Sequence, residues 1–312
     1  MKVNILLSTY NGEQYIRQQI ESIQKQSFKD WNLLIRDDGS SDSTLDVIEE
    51  LVKEDSRIRL VNEQSITNQG VIGSFLSLLK YEKADYYFFC DQDDFWLEDK
   101  LSIQLEEMLK FPKEKPVLVY TDLSVVNQDL NVIASSMIRS QSGHANTGLN
   151  EELTENTVTG GVTLINHALA ELWSGEEEFP ILMHDWYLAL LASAKGKLVY
   201  VDQVTQLYRQ HTNNVLGART LKKRVQNWVN PHLLFTKYWE LIKKSQLQAR
   251  NLLATDLKDT DREMVESFVD IMSYPLSNRI RILMKYGLKK NKLFHTLVFR
   301  FLIITKFYYR ES

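Results

Sequence analysis

The chain is poor in what several function classes require. It has one cysteine, Cys90, in 312 residues, which excludes an internal disulfide framework and a CxxC metal site and fits a reducing compartment. It has no excess of basic charge: 37 Lys and Arg against 41 Asp and Glu give a formal net charge of −4, so no nucleic-acid partner is expected. No window reaches the roughly 20 apolar residues that cross a bilayer. The opening MKVNILLSTYNGEQ is interrupted by Asn4 and turns polar at Ser8, too early for a signal-peptide core, and reads as a first buried strand. Neither GxxxxGK[ST] nor GxGxxG occurs, so any phosphate must be held by a metal and scattered donors. Internal repeats and low-complexity tracts are absent too. What remains is an ordinary globular composition, 44% hydrophobic and 25% charged, sufficient for one large domain with an accessory segment.

Within that composition short β-rich runs alternate with helical ones. Strand patterns at 3–10, 31–38, 57–63 and 85–90 are each preceded or followed by helical spacing, as in Tyr15, Ile16, Gln19, Ile20 and Ile23, or Leu45, Ile48 and Val52. The run at 39–43 is a Ser/Asp-rich helix start. Such alternation predicts an α/β fold with a mostly parallel sheet flanked by helices, and ligands in such sheets bind beyond the carboxyl ends of the strands. A further strand spans 117–127, a polar loop or flap 139–156, and a two-glycine turn TVTGG ends at Gly161. A helix follows over 183–196 with Gly196 as its stop, then a strand or hairpin over 197–211. From about Ala218 the text is helical and rich in Leu, Lys and aromatics, which divides the chain into 1–218 and a helical segment 219–312.

The polar strand ends should share one crevice: Ser8 to Asn11 after the first strand, Asp37 and Asp38 after the second, Asp91 to Asp94 after the fourth. Asp91, Asp93 and Asp94 directly follow the apolar run YYFFC, and such crowded acids repel one another unless a cation neutralises them. Hard oxygen ligands suit Mg²⁺ or Mn²⁺, which bind through one or two carboxylates plus a substrate's phosphates. An EF-hand is excluded because its sixth position, counted from Asp91, is Trp96 instead of Gly. A solvated turn, or a phosphohydrolase built on Asp91 and Asp93, remains open at this point. Asp37 and Asp38 before GSSDS also fit an ordinary turn and helix cap.

Taken together, LLSTYNGEQYIRQQIESIQKQSFKDWNLLIRDDGSSDST, FFCDQDDFWLEDKL and HDW resemble the family 2 inverting glycosyltransferases of GT-A fold over about residues 1–215. The forms CDQDDFW, HDWYLAL and YRQH are similar to bacterial rhamnosyltransferases of cell-wall or capsular polysaccharide synthesis. The resemblance implies a nucleotide-diphosphate sugar donor, a lipid-linked saccharide acceptor and Mg²⁺ or Mn²⁺ as cofactor. It implies that Thr9 and Tyr10 wall the base pocket, that Asp38 accepts the base N–H, and that Asp91 and Asp93 form the Asp-x-Asp motif at ribose, metal and diphosphate. Asp185 then matches the catalytic base, and His211 a metal or diphosphate ligand. L-rhamnose carried on dTDP is the expected donor, with a hexose on UDP as alternative; a catalytically silent nucleotide-sugar module is the third reading.

Elementary chemistry assigns compatible roles. A diphosphate leaves only if its growing charge is stabilised, and an acceptor hydroxyl needs a positioned base. Asp185 begins an apolar helix, where burial raises its pKa and the helix start lowers it; a helix N-cap is its alternative role. Thr159, Gly160 and Gly161 supply either backbone N–H groups to a diphosphate or a tight turn, and His184 and Trp186 flank the base as acceptor contacts, with core packing as the alternative for Trp186. Cys90 reads as a small core residue, and the other histidines show no metal-ligand spacing. Residues 279–312 carry Arg279, Arg281, Lys285, Lys289, Lys290, Lys292, Arg300, Lys306 and Arg310 against Glu311 alone. That composition suits a helix in an anionic interface, hence a place at the inner face of a bacterial plasma membrane, or a helix packed on the catalytic domain or on a second subunit of a homodimer.

Overall fold

A computed structural model describes residues 1–63, 66–173, 175, 177–211 and 231–309. The boundary expected near 218, with Arg310 and Glu311, lies outside the described residues. Strands β1 (Val3–Thr9), β2 (Asn32–Asp37), β3 (Ile58–Leu60) and β4 (Tyr86–Asp91) alternate with helices α1 (Ile16–Gln24), α2 (Thr44–Glu54) and α3 (Gly70–Tyr81). Then come β5 (Phe95–Trp96), α4 (Lys100–Met108), β6 (Val117–Val126), β7 (Val132–Ala134), α5 (Leu149–Glu152), β8 (Thr163–Asn166), α6 (His167–Ala170), α7 (His184–Lys195) and β9 (Lys197–Arg209). The C-terminal segment contributes α8 (Pro231–Arg250), α9 (Asp259–Val269), α10 (Leu276–Lys285) and α11 (Leu293–Thr305).

The strands lie in the order β3-β2-β1-β4-β8-β6-β9-β5, with β7 against β6. The expected parallel half is there, β3-β2-β1-β4. Beyond β4 the sheet is mixed, because β8 runs antiparallel to both β4 and β6, while β9 returns parallel to β6. Side chains of a strand alternate between faces. Val3, Ile5 and Leu7 join α1, α2 and α4 in one core, and Leu6 joins α3, α7 and the C-terminal helices in the other.

Segment 139–156 is more ordered than a polar flap suggests. A π-turn at Ile138–Ser142 and α5 bury Ile138, Leu149 and Leu153. The C-terminal loop clamps it from outside: Asn150 Nδ2 donates to the Tyr286 carbonyl at 3.3 Å, and the Asn291 N–H donates to Glu155 Oε2 at 2.7 Å.

Helix α7 does stop at Gly196, but for want of room and without a left-handed turn. Its φ is −157°, and a Cβ there would lie 1.8 Å from the Pro116 carbonyl oxygen, the same oxygen that accepts the Lys197 N–H at 2.9 Å to begin the β6–β9 ladder. Gly196→Ala is therefore expected to cost about 1–3 kcal/mol, the usual range for forcing atoms into a filled site, measured by chemical denaturation; an unchanged midpoint would contradict it.

Candidate active site

The carboxyl ends of β1, β2 and β4 meet at one edge because their registers align: Thr9 lies beside Asp37 and Ser8 beside Asp91. Gln92 ties these ends together. Its Oε1 accepts from Thr9 Oγ1 at 2.6 Å and from the Tyr10 N–H at 2.8 Å, and its Nε2 donates to the Tyr10 carbonyl at 3.0 Å. Thr9 is thereby buried, while the Tyr10 ring projects outward, 51% exposed. Asp38 is buried and paired with Arg36 at 2.5 Å; it also accepts the N–H groups of Gln69 at 2.6 Å and Gly70 at 2.8 Å. With Oδ1 taken twice and Oδ2 once, one acceptor position remains, on Oδ2.

Asp91, Asp93 and Asp94, alike in sequence, have three different environments. Asp94 is wholly buried; its Oδ2 accepts from Gln206 and its Oδ1 from the Arg209 N–H at 3.2 Å. Burial, then the Asp93 and Asp91 charges, hold its pKa well above the ordinary range. Asp91 stands at the opening, pushed up to about 7 by burial and by the charges of Asp93 and Asp185. Asp93 Oδ2 lies 2.7 Å from His211 Nε2. Arg209 supports this loop from below: its Nε donates to the Asp93 carbonyl at 2.9 Å, its Nη2 to Gln18 Oε1 at 2.6 Å, and its guanidinium lies over the Tyr15 ring. Behind it Lys100, fully buried beside Trp96, is lowered to about 7 by burial.

Asp185 is in the first turn of α7 and is not its N-cap, a position held by Met183. Its Oδ1 accepts the Trp186 N–H at 2.6 Å and its Oδ2 the Gly160 N–H at 3.1 Å. Burial nevertheless wins and raises its pKa to about 6. Of the two readings of this turn, a donor of N–H groups to a diphosphate or a tight turn, the first loses the Gly160 N–H, which is spent on Asp185. Thr159 and Gly161 complete the turn; a Cβ on Gly161 would come within 2.6 Å of Gln206 Nε2 and 3.2 Å of Asp94 Oδ2, so only glycine lets the turn approach the acids. His184, expected beside an acceptor, is a core residue instead: it is buried, packs against Phe75, Phe89 and Trp173, and is driven down to about 3 by burial alone. Trp186 packs on the same core and donates its indole N–H to the Glu152 carbonyl at 2.8 Å. Glu152 is wholly buried, which raises it to about 8.

The strand-end acids, the turn 159–161 and Asp185 therefore share one crevice. The family model described as glycosyl transferase family 2 matches residues 4–169. The chain belongs to glycosyl transferase family 2. This glycosyltransferase is 29% identical over 227 residues to a Shigella flexneri protein named dTDP-rhamnosyl transferase RfbG, covering 68% of this chain and 74% of the relative. It is also 29% identical over 230 residues to the putative teichuronic acid biosynthesis glycosyltransferase TuaG of Bacillus subtilis, covering 72% and 85%. The S. aureus TarS structure with UDP superimposes with a TM-score of 0.57 at 18% identity, covering 89% of this chain and 74% of that one, which shows the GT-A fold with a helical C-terminal region.

Sequence reasoning missed Gln92, Gln206, Arg209 and Glu152, which act on the site across many intervening residues. Gln92 had a visible signal, an amide enclosed by acids, and Arg209 stood in the quoted YRQH. The three bonds from Gln92 predict a coupling: Gln92→Leu should destabilise by about 1–3 kcal/mol because it leaves the buried Thr9 hydroxyl unpaired, Thr9→Val should cost less because Gln92 Oε1 keeps the Tyr10 N–H, and the double variant should cost less than the sum of the two. Additive costs in urea denaturation would refute the linkage.

Proposed function

We propose that this glycosyltransferase moves a sugar from a nucleoside-diphosphate donor to a hydroxyl of a lipid-linked or growing bacterial polysaccharide, with inversion, and that the sugar is L-rhamnose carried on dTDP. The observation that carries the reaction type is Asp185: a buried carboxylate raised to about 6, whose charge bears on Asp91 across the crevice. The dTDP-rhamnosyl name of the Shigella flexneri relative supports the sugar. A UDP-hexose is the competing donor, favoured by the UDP and UDP-GlcNAc complexes of TarS.

In this reading Tyr10 offers its exposed ring to the base and Asp38 Oδ2 its last acceptor position to the base N–H. Asp93 and His211, 2.7 Å apart, would hold Mg²⁺ or Mn²⁺ through a carboxylate and an imidazole, with Asp91 approaching the same ion. Among the described residues no group of three or more His, Cys, Asp or Glu could hold a metal ion by itself, so in this reading phosphate oxygens of the donor must supply the remaining ligands. The ion, when bound, stabilises charge on the departing diphosphate. Asp185 takes the proton from the acceptor hydroxyl, whose oxygen bonds to the anomeric carbon as the bond to diphosphate breaks. The Trp186 and Gly160 N–H groups hold the carboxylate in place, and Glu152, kept neutral, adds no second charge behind it.

The C-terminal helices bear on location. Ile282, Leu283, Phe299, Leu302 and Ile303 are buried, and Arg279 is used internally, donating to the Ile303 carbonyl at 3.0 Å. The opposite faces expose Leu276, Ile280, Met284, Leu293, Leu297 and Phe301, in a stretch, 271–309, without one acidic residue. No described helix is long and apolar enough to cross a membrane. An apolar stripe amid basic charge fits peripheral docking on an anionic leaflet, each cation adding about 1 kcal/mol near the surface, and sets the enzyme at the inner face of the plasma membrane.

Two outcomes follow. Since a base must be deprotonated, transfer should rise with pH and level off above about 6, with wild type at pH 5 about tenfold below the plateau. Asp185→Asn should lower turnover by about 10²–10⁴ and lose that rise; near-normal turnover would remove Asp185 from the mechanism. For location, the protein should co-sediment with phosphatidylglycerol vesicles, and Leu293→Glu with Leu297→Glu should abolish this without altering the fold. Equal sedimentation of both, or a shift to a dimer in place of vesicle binding, would end the membrane reading.

A further inference from the structure

Outside the crevice of carboxylates, the fold encloses a second concavity of about 370 Å³, within the range of roughly 300–1,000 Å³ typical of small-ligand sites. Three parts of the chain wall it: the β6–β7 hairpin with the turn 138–142, residues 155 and 156 after α5, and the start of α11. Gln210 closes it from the catalytic side. Two routes along the chain join it to the active site. Gln210 precedes His211, which bonds Asp93, and Asn156 is four residues ahead of Gly160, which bonds Asp185.

The lining is mainly hydrogen-bonding, with Glu155, Lys292 and His295 as its titratable members. Ser140, Ser142, Asn156, Gln210 and Asn291 supply hydroxyls and amides, with Ile133 as an apolar wall. Glu155 is the only acid there and already accepts the Asn291 N–H. Two side-chain donors within the lining, Gln210 Nε2 and Asn291 Nδ2, are buried without a hydrogen-bond partner among the described residues. An unpartnered buried amide costs about 1–3 kcal/mol and is retained where a ligand completes it. Amides and hydroxyls alternating around an apolar wall match a sugar, whose hydroxyls both donate and accept and whose ring has an apolar face.

Resting on the transferase reading above, we propose that this concavity is the subsite for the acceptor's saccharide, and that the catalytic domain and the C-terminal helices build it jointly. Asn291 and Gln210 are specificity-determining contacts, and the C-terminal segment thereby selects which glycan is extended.

Saturation-transfer NMR with methyl α-L-rhamnopyranoside, methyl α-D-glucopyranoside and N-acetylglucosamine as probes tests this. At least one should show transfer, and Asn291→Leu should weaken it about tenfold, the effect of one lost buried hydrogen bond. Ser142→Trp, which fills the space and removes no described bond, should abolish it. In the same samples the signals of dTDP and UDP should be unchanged in both variants. Absence of transfer from every saccharide, or transfer unaffected by both substitutions in folded protein, overturns the subsite. Absence of any nucleotide signal in the wild type would instead sink the donor reading, so the two failures are distinguishable.

Discussion

Asp91, Asp93 and Asp94 leave β4 within one turn of chain, and like charges at such separations cannot all persist unless each is treated differently. Asp94 is withdrawn from water, its carboxyl pushed well above the ordinary range by that burial, and bonded to β9 through Gln206 and the Arg209 backbone. Asp93 is matched with His211, and Asp91 alone is left at the opening. The long strand β9, the glycine turn at 160–161 and the stacking of Arg209 on Tyr15 all follow from the need to hold these groups apart and oriented. Preorganised charge of this kind is effective because its cost is met in folding, before a substrate arrives.

The parallel half of the fold was legible because its strands alternate cleanly with helices and end abruptly in polar residues, so Thr9, Asp38 and Asp91 could be set at one edge from the pattern alone. The mixed half was not. β8 is four residues long, too short to carry a direction, and its insertion between β4 and β6 depends on register across the whole sheet. The same limit explains the site residues. For Asp185 the tension between burial and helix start was visible in the sequence, and burial prevailed over the N–H groups of Trp186 and Gly160, which pull the other way. His184 was misplaced because Phe75, Phe89 and Trp173, the rings that enclose it, come from three separate elements, and nothing next to His184 in sequence announces them.

The basic C-terminal segment was open to an interfacial reading and to packing on the catalytic domain, and packing is what the structure shows for one side of it. One side of α10 and α11 belongs to the same apolar cluster as α7. The other side is apolar and uncovered, and the charged groups between are partly consumed: Arg279 reaches the Ile303 carbonyl, and Arg300 the Leu288 carbonyl at 3.1 Å. Counting cations in the sequence therefore overstates the charge that a partner would meet.

The clamp of the loop at 286–291 on the segment at 150–155 has a consequence in time as well as in space. The contact between Asn150 and Tyr286 joins residues 136 positions apart, so on a ribosome emitting about 5–20 residues per second the parallel sheet with its acids is complete well before the clamp can close. During that interval Leu149 and Leu153 have their catalytic-domain neighbours but lack the cover that the last helices provide. The order of synthesis thus makes this clamp a late closure, and a chain that stops before residue 286 would carry the strand-end acids without it.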